Sequence, residues 1–283
     1  MAFVGDDPGA KSSTFPCASE HTLADLGIPT FYPADAADIL DLGRHAVAMS
    51  RASGLWSALK IVTAVADGST VVDLGEAEAE PILPEGSQRH RPSAKLIQPT
   101  LGAMEQDAAT TRLSIVEEYA SRNKLNPVTS RHENDRTGIL AAGKTYSDVC
   151  EALAELGLND EELAKWGIRL MKVGLVWPLA ERDLRDFAVG LRHIVVVEEK
   201  RGFLETAVRR ILYGSTRAPW SRESRTVKER DSSRPSVSST PTPSPLAWPV
   251  CSSVTRRSHR SEVGWLNGRR APNGVGVCSP WYR

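Results

Sequence analysis

The chain has 283 residues, of which 41% are hydrophobic and 25% charged, a composition typical of soluble globular proteins with about two domains. No stretch approaches the roughly 18 consecutive apolar residues of a membrane span, and the acidic N-terminus lacks the features of a signal peptide. We therefore expect a cytoplasmic protein that does not bind membranes. The formal net charge is zero, but residues 215–283 hold 12 basic and only 4 acidic residues, so a basic tail follows an acidic body.

Residues 28–75 alternate between strand and helix signals. Residues 28–32 are β-prone, and Asp35 is a good N-cap because its carboxylate can accept the unpaired N–H groups of a first helical turn. The apolar stripe of the predicted helix is Ile39, Leu42, Ala46, Val47 and Ser50. Gly54 ends this helix, and the Ile- and Val-rich residues 55–65 predict a second strand.

Residues 76–136 lack this regularity. Glutamate alternates with alanine at 76–80, and several prolines and a His/Arg cluster at 88–91 follow. Such a composition is typical of a linker or an extended crossing segment. We predict one helix within it, at about residues 106–122.

Residues 137–214 carry the clearest pattern, with three short apolar strands that alternate with three helices. The strands are predicted at 139–142, 168–173 and 194–197. Gly143 is predicted to turn the chain into a first helix that ends at Gly157, and the other two helices are predicted at 179–189 and 203–213. Cys150 falls on the apolar face of the first of these helices and is predicted to lie in the core. Because strands separated by 10–12-residue helices imply right-handed crossovers, we predict an α/β fold with parallel β-α-β units.

Residues 215–283 show neither the helical period of 3.6 residues nor the strand period of 2, and they are rich in serine, arginine and proline. A segment of this composition buries too little apolar surface to offset its conformational entropy, so we predict a disordered basic tail. Its four tryptophans and two cysteines are unusual for such tails. One hypothesis is that the tail is translated out of frame, and the alternative is an ordinary disordered tail.

Residues 138–145 (GILAAGKT) match the P-loop pattern G-x4-G-K-[ST] letter for letter. In a P-loop, a buried strand precedes the first glycine and the four variable residues wrap a phosphate. Here the preceding residues 130–137 are polar, and the apolar variable residues themselves form the predicted strand. We therefore disfavour a P-loop nucleotide-binding protein, which stays an alternative together with a non-catalytic interaction protein that uses its basic tail. Nucleic-acid binding has no motif beyond charge to support it.

The candidate site residues lie near the N-terminus, in a polar, turn-rich loop. They are Asp6, Asp7, Pro8, Gly9, Ser12 and Ser13. Either an active-site loop or a plain surface turn fits this composition. Residues 198–202 (EEKRG), at the carboxyl end of the last predicted strand, are likewise either a ligand-binding turn or an ordinary polar turn.

Metal ligands and catalytic residues cannot be identified from spacing. The six histidines are scattered, and none pairs in sequence with a nucleophile. The cysteines are too far apart for a local zinc or iron–sulfur motif: Cys17, Cys150, Cys251 and Cys278. We predict no metal site and name no catalytic residue.

Six segments, in order, resemble one family. The segments GDDPGAKSS, GIPTFYPADAADIL and SRASGLWSALKIVTAVADG are similar to the second half of the pyrimidine-binding domain of the thiamine diphosphate-dependent 2-oxoacid:ferredoxin oxidoreductases, in particular the indolepyruvate ferredoxin oxidoreductases. The segments AAGKTYSDVCEALAELG, IRLMKVGLVWPL and HIVVVEEKRGFLETAVRRILYG resemble the domain that follows, which is similar to the transketolase C-terminal domain. The resemblance covers about residues 5–214.

The resemblance implies oxidative decarboxylation of indolepyruvate or related 2-oxoacids, with thiamine diphosphate, magnesium and iron–sulfur clusters as cofactors. It implies ferredoxin as electron acceptor and coenzyme A as acyl acceptor, and it leaves room for a dimer or a partner chain. In the family, the glutamate that activates the cofactor lies upstream of the position of Gly5, and the magnesium motif lies in a later domain. We therefore predict a fragment that is inactive alone, with the loop Asp6–Ser13 near the substrate end of the cofactor cleft.

Overall fold

The computed structural model describes residues 1–72, 80–85, 87 and 97–213. The predicted tail at 215–283 lies outside the described residues. The strands are β1 (Ala2–Asp6), β2 (Thr30–Phe31), β3 (Ala58–Val62), β4 (Val128–Ser130), β5 (Thr137–Ala142), β6 (Ile168–Val173), β7 (Leu175–Trp177) and β8 (His193–Val197). The α-helices are α1 (Glu20–Asp25), α2 (Ala36–Ser53), α3 (Thr63–Ala66), α4 (Thr100–Asp107), α5 (Leu113–Arg122), α6 (Gly143–Glu155), α7 (Asp160–Trp166), α8 (Glu181–Ala188) and α9 (Phe203–Leu212).

These strands form two four-stranded sheets, which confirms the predicted α/β class with parallel β-α-β units. Sheet A has the order β1-β3-β2-β7, and sheet B has the order β4-β6-β5-β8. The pairs β1–β3 and β2–β3 are parallel in sheet A, and the pairs β5–β6 and β5–β8 are parallel in sheet B. None of the described helices combines the length and the apolar composition that a membrane span requires.

Helix α2 begins and ends at the predicted residues. The carboxylate of Asp35 accepts the N–H of Asp38 at 2.9 Å, and Gly54 adopts a left-handed φ of 69° as C-cap. The strand predicted at 55–65 was too long, because residues 63–66 form helix α3. The neighbouring strand β1 ends at Asp6, which lies opposite Val62, so the chain beyond Val62 has no strand to pair with on that side.

Sheet B reproduces the three predicted strands. Strand β5 lies in its interior, and Ile139 is flanked by Leu170 of β6 and Val195 of β8. Alternate residues of these strands, including Leu140 and Val196, pack on α8 and α9 in the larger core. The apolar face predicted for α6 is less buried than expected. Cys150 is only half-buried, and Leu156, which follows the helix, is 60% exposed. Cys150 is thus not a core residue, because α6 lies on the face of sheet B opposite the larger core.

The chain crosses between the sheets after β6. The chain leaves sheet B at the end of β6, and the next strand, β7, pairs antiparallel with β2 of sheet A. The buried side chain of Asn126 holds this crossing, since its Oδ1 accepts the N–H of Gly174 at 3.0 Å and of Leu175 at 2.9 Å. The described part of the predicted linker is more ordered than a linker with one helix, because it contains α4, a π-helical turn at Ala108–Arg112, α5 and the edge strand β4.

Candidate functional site

The carboxyl ends of parallel strands from both sheets meet at one small cavity. Its volume is about 30 Å³, enough for one water molecule. The walls come from the loop after β1, from β3, and from the turns that follow β2, β5 and β8. Ligands of open α/β sheets bind at this end of the strands, so this region is the candidate site.

Asp7 organises the loop after β1. Its carboxylate accepts the backbone N–H groups of Lys11 at 2.9 Å, Ser12 at 2.7 Å and Ser13 at 2.7 Å. These hydrogen bonds, those of Lys11 and Ser12 above all, lower the pKa of Asp7 to about 2. The ionised side chain therefore fills a ring of N–H donors that could otherwise bind an anion.

Asp6 holds the two ends of the same loop together. Its carboxylate accepts the N–H of Ser19 at 2.8 Å and the hydroxyl of Ser19 at 2.6 Å. The structure thus brings the six candidate residues into one closed loop in which Asp6, Asp7 and Pro8 are buried. The other three are exposed: Gly9, Ser12 and Ser13. A role of these residues in ligand binding stays a prediction.

Lys60 of β3 is the main site residue that the sequence reasoning missed. Its side chain is 1% exposed, and its ammonium group pairs with the carboxylate of Glu20 and lies 3.7 Å from Asp6. The same ammonium lies 4.1 Å from the centroid of the Tyr32 ring, a cation–π geometry. A lysine within the apolar strand ALKIV was the available signal, because lysine is almost never fully buried unless it is paired.

Glu198 follows β8 on the opposite wall of the cavity. Its carboxylate accepts the N–H groups of Phe203 at 2.9 Å, Leu204 at 2.7 Å and Glu205 at 3.1 Å, so it caps helix α9. Burial raises the pKa of Glu198 to about 7, against the lowering effect of these donors. Glu198 of the EEKRG turn therefore has a structural role, and its presence in the turn does not by itself indicate a ligand.

Three contacts connect this turn and the first residue of α9 to the N-terminal part of the chain. The hydroxyl of Tyr32 donates to Glu199 at 2.9 Å, and the ammonium of Lys200 donates to the carbonyl of Pro16. The rings of His21 and Phe203 meet edge to face at 5.0 Å. Burial first, and the neighbouring Glu199 carboxylate next, raise the pKa of Tyr32 well above its ordinary value, so its hydroxyl stays a donor.

The P-loop-like segment serves the fold. Residues 139–142 lie within β5, as predicted, and do not wrap an anion. Gly143 has a φ of 53°, and a Cβ at this position would lie 2.3 Å from the Tyr32 ring. The ammonium of Lys144 pairs with Asp148 one turn along α6. The glycine and the lysine of the motif thus have structural partners.

The described residues do not form a site for the cofactors of the resembling family. Within the described ranges, no three His, Cys, Asp or Glu side chains lie close enough together to hold a metal ion. The backbone donors of the Asp7 loop are already occupied by its carboxylate.

A family model and several curated proteins similar to this chain are those of indolepyruvate oxidoreductases. Residues 128–232 match the family model of the indolepyruvate oxidoreductase domain. The indolepyruvate oxidoreductase subunit IorA of Methanothermobacter marburgensis is 26% identical over 208 residues, which are 74% of this chain and 32% of that subunit. The corresponding subunit of Archaeoglobus fulgidus is 26% identical over 206 residues, 73% of this chain and 31% of the relative. This chain therefore spans about a third of the length of these curated relatives.

Solved structures also show similarity. The 2-oxoglutarate:ferredoxin oxidoreductase of Magnetococcus marinus has a TM-score of 0.49 at 16% identity, over 74% of this chain and 43% of that chain. A split-gene transketolase has a TM-score of 0.41 at 16% identity, over 74% of this chain and 52% of that chain. The family match and the curated relatives together confirm that this chain resembles the indolepyruvate oxidoreductases.

Proposed function

We propose that this chain is part of a cytoplasmic enzyme that oxidatively decarboxylates indolepyruvate or a related 2-oxoacid. Ferredoxin is the proposed electron acceptor and coenzyme A the proposed acyl acceptor. The similarity to curated indolepyruvate oxidoreductase subunits over 208 residues carries the proposal. Since the chain spans about a third of those subunits, we further propose that it has no such activity alone.

Within that enzyme, we assign residues 1–75 to the second half of a pyrimidine-binding domain. Residues 137–214 are assigned to a domain similar to the transketolase C-terminal domain, and residues 76–136 connect the two. Bound thiamine diphosphate would supply the nucleophile and electron sink for decarboxylation of a 2-oxoacid. We assign its binding to parts of the enzyme outside this chain, because the described residues do not fit it.

The contribution of this chain is a fixed wall of the substrate cleft. The Asp7 carboxylate locks the loop, so the exposed Gly9, Ser12 and Ser13 keep one conformation. Small residues with free surface allow a flat aromatic substrate to approach the backbone closely. The hydroxyl of Ser12 lies 3.2 Å from that of Thr63, which ties the loop to the end of β3.

The first test uses the purified chain with indolepyruvate, thiamine diphosphate, magnesium, coenzyme A and ferredoxin. We expect no release of carbon dioxide and no reduction of ferredoxin. Either product, formed in proportion to the concentration of the chain, would show that the chain is a catalyst by itself.

The second test replaces the matched third of the Methanothermobacter marburgensis subunit by the corresponding residues of this chain. We expect ferredoxin reduction that depends on indolepyruvate. Asp7→Ala in this chimera should raise KM, because the loop loses its internal carboxylate, whereas Asp25→Ala at the end of α1 should not. A folded chimera that accepts neither indolepyruvate nor other 2-oxoacids would contradict the proposal.

A further inference from the structure

Six charged residues line the cavity, and the side chain of one of them has no partner in the described part of the chain. The five that have a hydrogen bond or an ion pair there are Glu20, Lys60, Glu198, Glu199 and Lys200. The sixth is Arg201, which is exposed. A guanidinium keeps its charge at every working pH and presents a planar fork of donors that matches a carboxylate. Arg201 is therefore a free anion-binding group at the mouth of the cavity.

Phe15 is an exposed aromatic residue in a segment whose backbone is fixed on both sides. The residue is 78% exposed, and no other aromatic ring of the described chain contacts it. The N–H of Ser13 donates to the carboxylate of Asp7 at 2.7 Å, and the N–H of Cys17 donates to the Asp7 carbonyl at 3.1 Å. A ring on a fixed backbone loses little conformational freedom when a ligand covers it, so Phe15 is prepared for an apolar contact.

A single contact brings these two residues to the same opening. The ammonium of Lys200 donates to the carbonyl of Pro16. Phe15 precedes Pro16 in the chain, and Arg201 follows Lys200. A ligand at the mouth of the cavity therefore meets an aromatic ring from the loop after β1 and a guanidinium from the turn after β8.

We propose that Phe15 and Arg201 together bind an aryl 2-oxoacid, with its ring against Phe15 and its carboxylate on Arg201. The inference rests on the proposed function for the identity of the ligand. The two contacts differ in what they recognise. The ring of Phe15 favours aryl over alkyl side chains, whereas the ion pair to Arg201 is common to all 2-oxoacids. Both residues bind the substrate and take no part in bond cleavage.

The first test measures binding of indole-3-acetate to the full 283-residue chain by titration calorimetry, without any cofactor. This probe has the ring and the carboxylate but lacks the 2-oxo group, so no reaction can follow. Because both binding residues belong to this chain, we expect saturable one-to-one binding. The absence of binding up to the solubility limit of the probe would overturn the proposal.

Two pairs of variants separate the contacts from general effects. Phe15→Ala should weaken binding about fivefold, because the ring contact is lost. Trp56→Ala, at a similarly exposed aromatic residue just before β3, should leave it unchanged. Arg201→Met should weaken binding about tenfold, whereas Arg192→Met, at an exposed arginine just before β8, should not. A variant that binds as well as its control, both folded by circular dichroism, would contradict the assignment of that residue.

A second probe tests the division of roles between the two residues. Indole-3-ethanol keeps the ring but has a hydroxyl in place of the carboxylate. Its binding should be weakened by Phe15→Ala and should not respond to Arg201→Met. An equal loss for both probes on Arg201→Met would show that Arg201 acts on the loop and does not bind the carboxylate.

Failure of this inference and failure of the proposed function give different results. A chain that binds indole-3-acetate through Phe15 and Arg201, in a chimera without decarboxylase activity, rejects the proposed function alone. An active chimera whose KM for indolepyruvate is unchanged by both Phe15→Ala and Arg201→Met rejects the two binding residues alone.

Discussion

Sheet A and sheet B each bury a charged pair, and the two pairs lie at opposite ends of the parallel strands. In sheet B, Arg169 donates to Asp135 at 3.0 Å and to the carbonyls of Phe187 at 2.6 Å and Val189 at 2.9 Å. This pair lies at the amino ends of β5 and β6. In sheet A, Lys60 contacts two carboxylates and a ring toward the carboxyl ends, beside the cavity.

The difference separates a structural pair from a site. The planar guanidinium of Arg169 has fixed acceptors on three sides, so the pair joins β6 to the end of α8 and does little else. The ammonium of Lys60 is a flexible point charge next to a cavity at the end of the sheet where ligands bind. We therefore expect mutations of the first pair to affect stability most, and those of the second to affect the site as well.

The largest expected effect is that of Arg169→Met. The variant leaves the carboxylate of Asp135, which is fully buried, without its cation, so the free energy of unfolding should fall by about 3–5 kcal/mol. Urea unfolding measures this loss. Arg209→Met is the control, since Arg209 is 61% exposed in its pair with Glu205 and should cost less than about 0.5 kcal/mol. A loss below about 1 kcal/mol for Arg169→Met would contradict the structural assignment.

Gly143→Ala tests the contact between the end of β5 and the ring of Tyr32, over which Lys60 lies. The new methyl would collide with the Tyr32 ring and would occupy a left-handed backbone conformation, at a cost of about 2–4 kcal/mol. Gly157→Ala has the same type of backbone conformation, with a φ of 72°, but no atom within 4 Å. It should cost only about 1 kcal/mol in thermal or urea unfolding. Equal losses would show that the contact with Tyr32 is unimportant.

Lys60→Met should destabilise the fold less than Arg169→Met. Asp6 keeps its two hydrogen bonds from Ser19, and Glu20 is 15% exposed, so we expect a loss of about 2 kcal/mol. The site should respond as well: amide exchange of the loop Asp6–Ser13 should become faster, whereas in Arg169→Met it should be unaffected below the global unfolding limit. An unchanged loop in Lys60→Met would remove Lys60 from the candidate site.

The effect of Glu198→Gln depends on pH. The pKa of Glu198 is raised to about 7, so its stabilising contribution is complete below its ordinary pKa of 4.5 and is lost as the pH rises through 7. Between pH 5 and pH 8, this group should lower the free energy of unfolding by about 2 kcal/mol. Glu198→Gln should lack that part of the pH dependence. Identical pH slopes in urea unfolding would show that Glu198 does not titrate in this range.

How much of the fold the sequence predicts depends on whether the interactions that form an element are local or long-range in sequence. The three parallel strands of sheet B follow from short apolar runs between helices, and the ends of α2 follow from Asp35 and Gly54. Their signals are local. Strands β1, β4 and β7 were missed because their pairing depends on partners 40 to 147 residues away in sequence, from Ser130–Leu170 in sheet B to Thr30–Trp177 in sheet A.

The candidate loop could be located from the sequence, but its internal chemistry could not. Three N–H donors converge on Asp7 only after the chain turns back on itself, and Lys60 meets Glu20 across 40 residues. The sequence predicts that Gly143 turns the chain after β5, and its positive φ of 53° agrees with a turn. The close approach of the Tyr32 ring, which leaves no room for a side chain at Gly143, cannot be predicted from the local sequence because Tyr32 follows a strand of the other sheet.

Strand β7 makes the two halves of the molecule inseparable by simple truncation. It lies in the sequence between β6 and α8 but completes the sheet that starts at the N-terminus. A shortened chain that begins at residue 137 would retain Leu175 and Val176, both nearly fully buried, with no sheet A to receive them. Expression of the C-terminal half alone should thus yield aggregation-prone protein. Studies of the C-terminal unit need residues 1–72 in the same polypeptide.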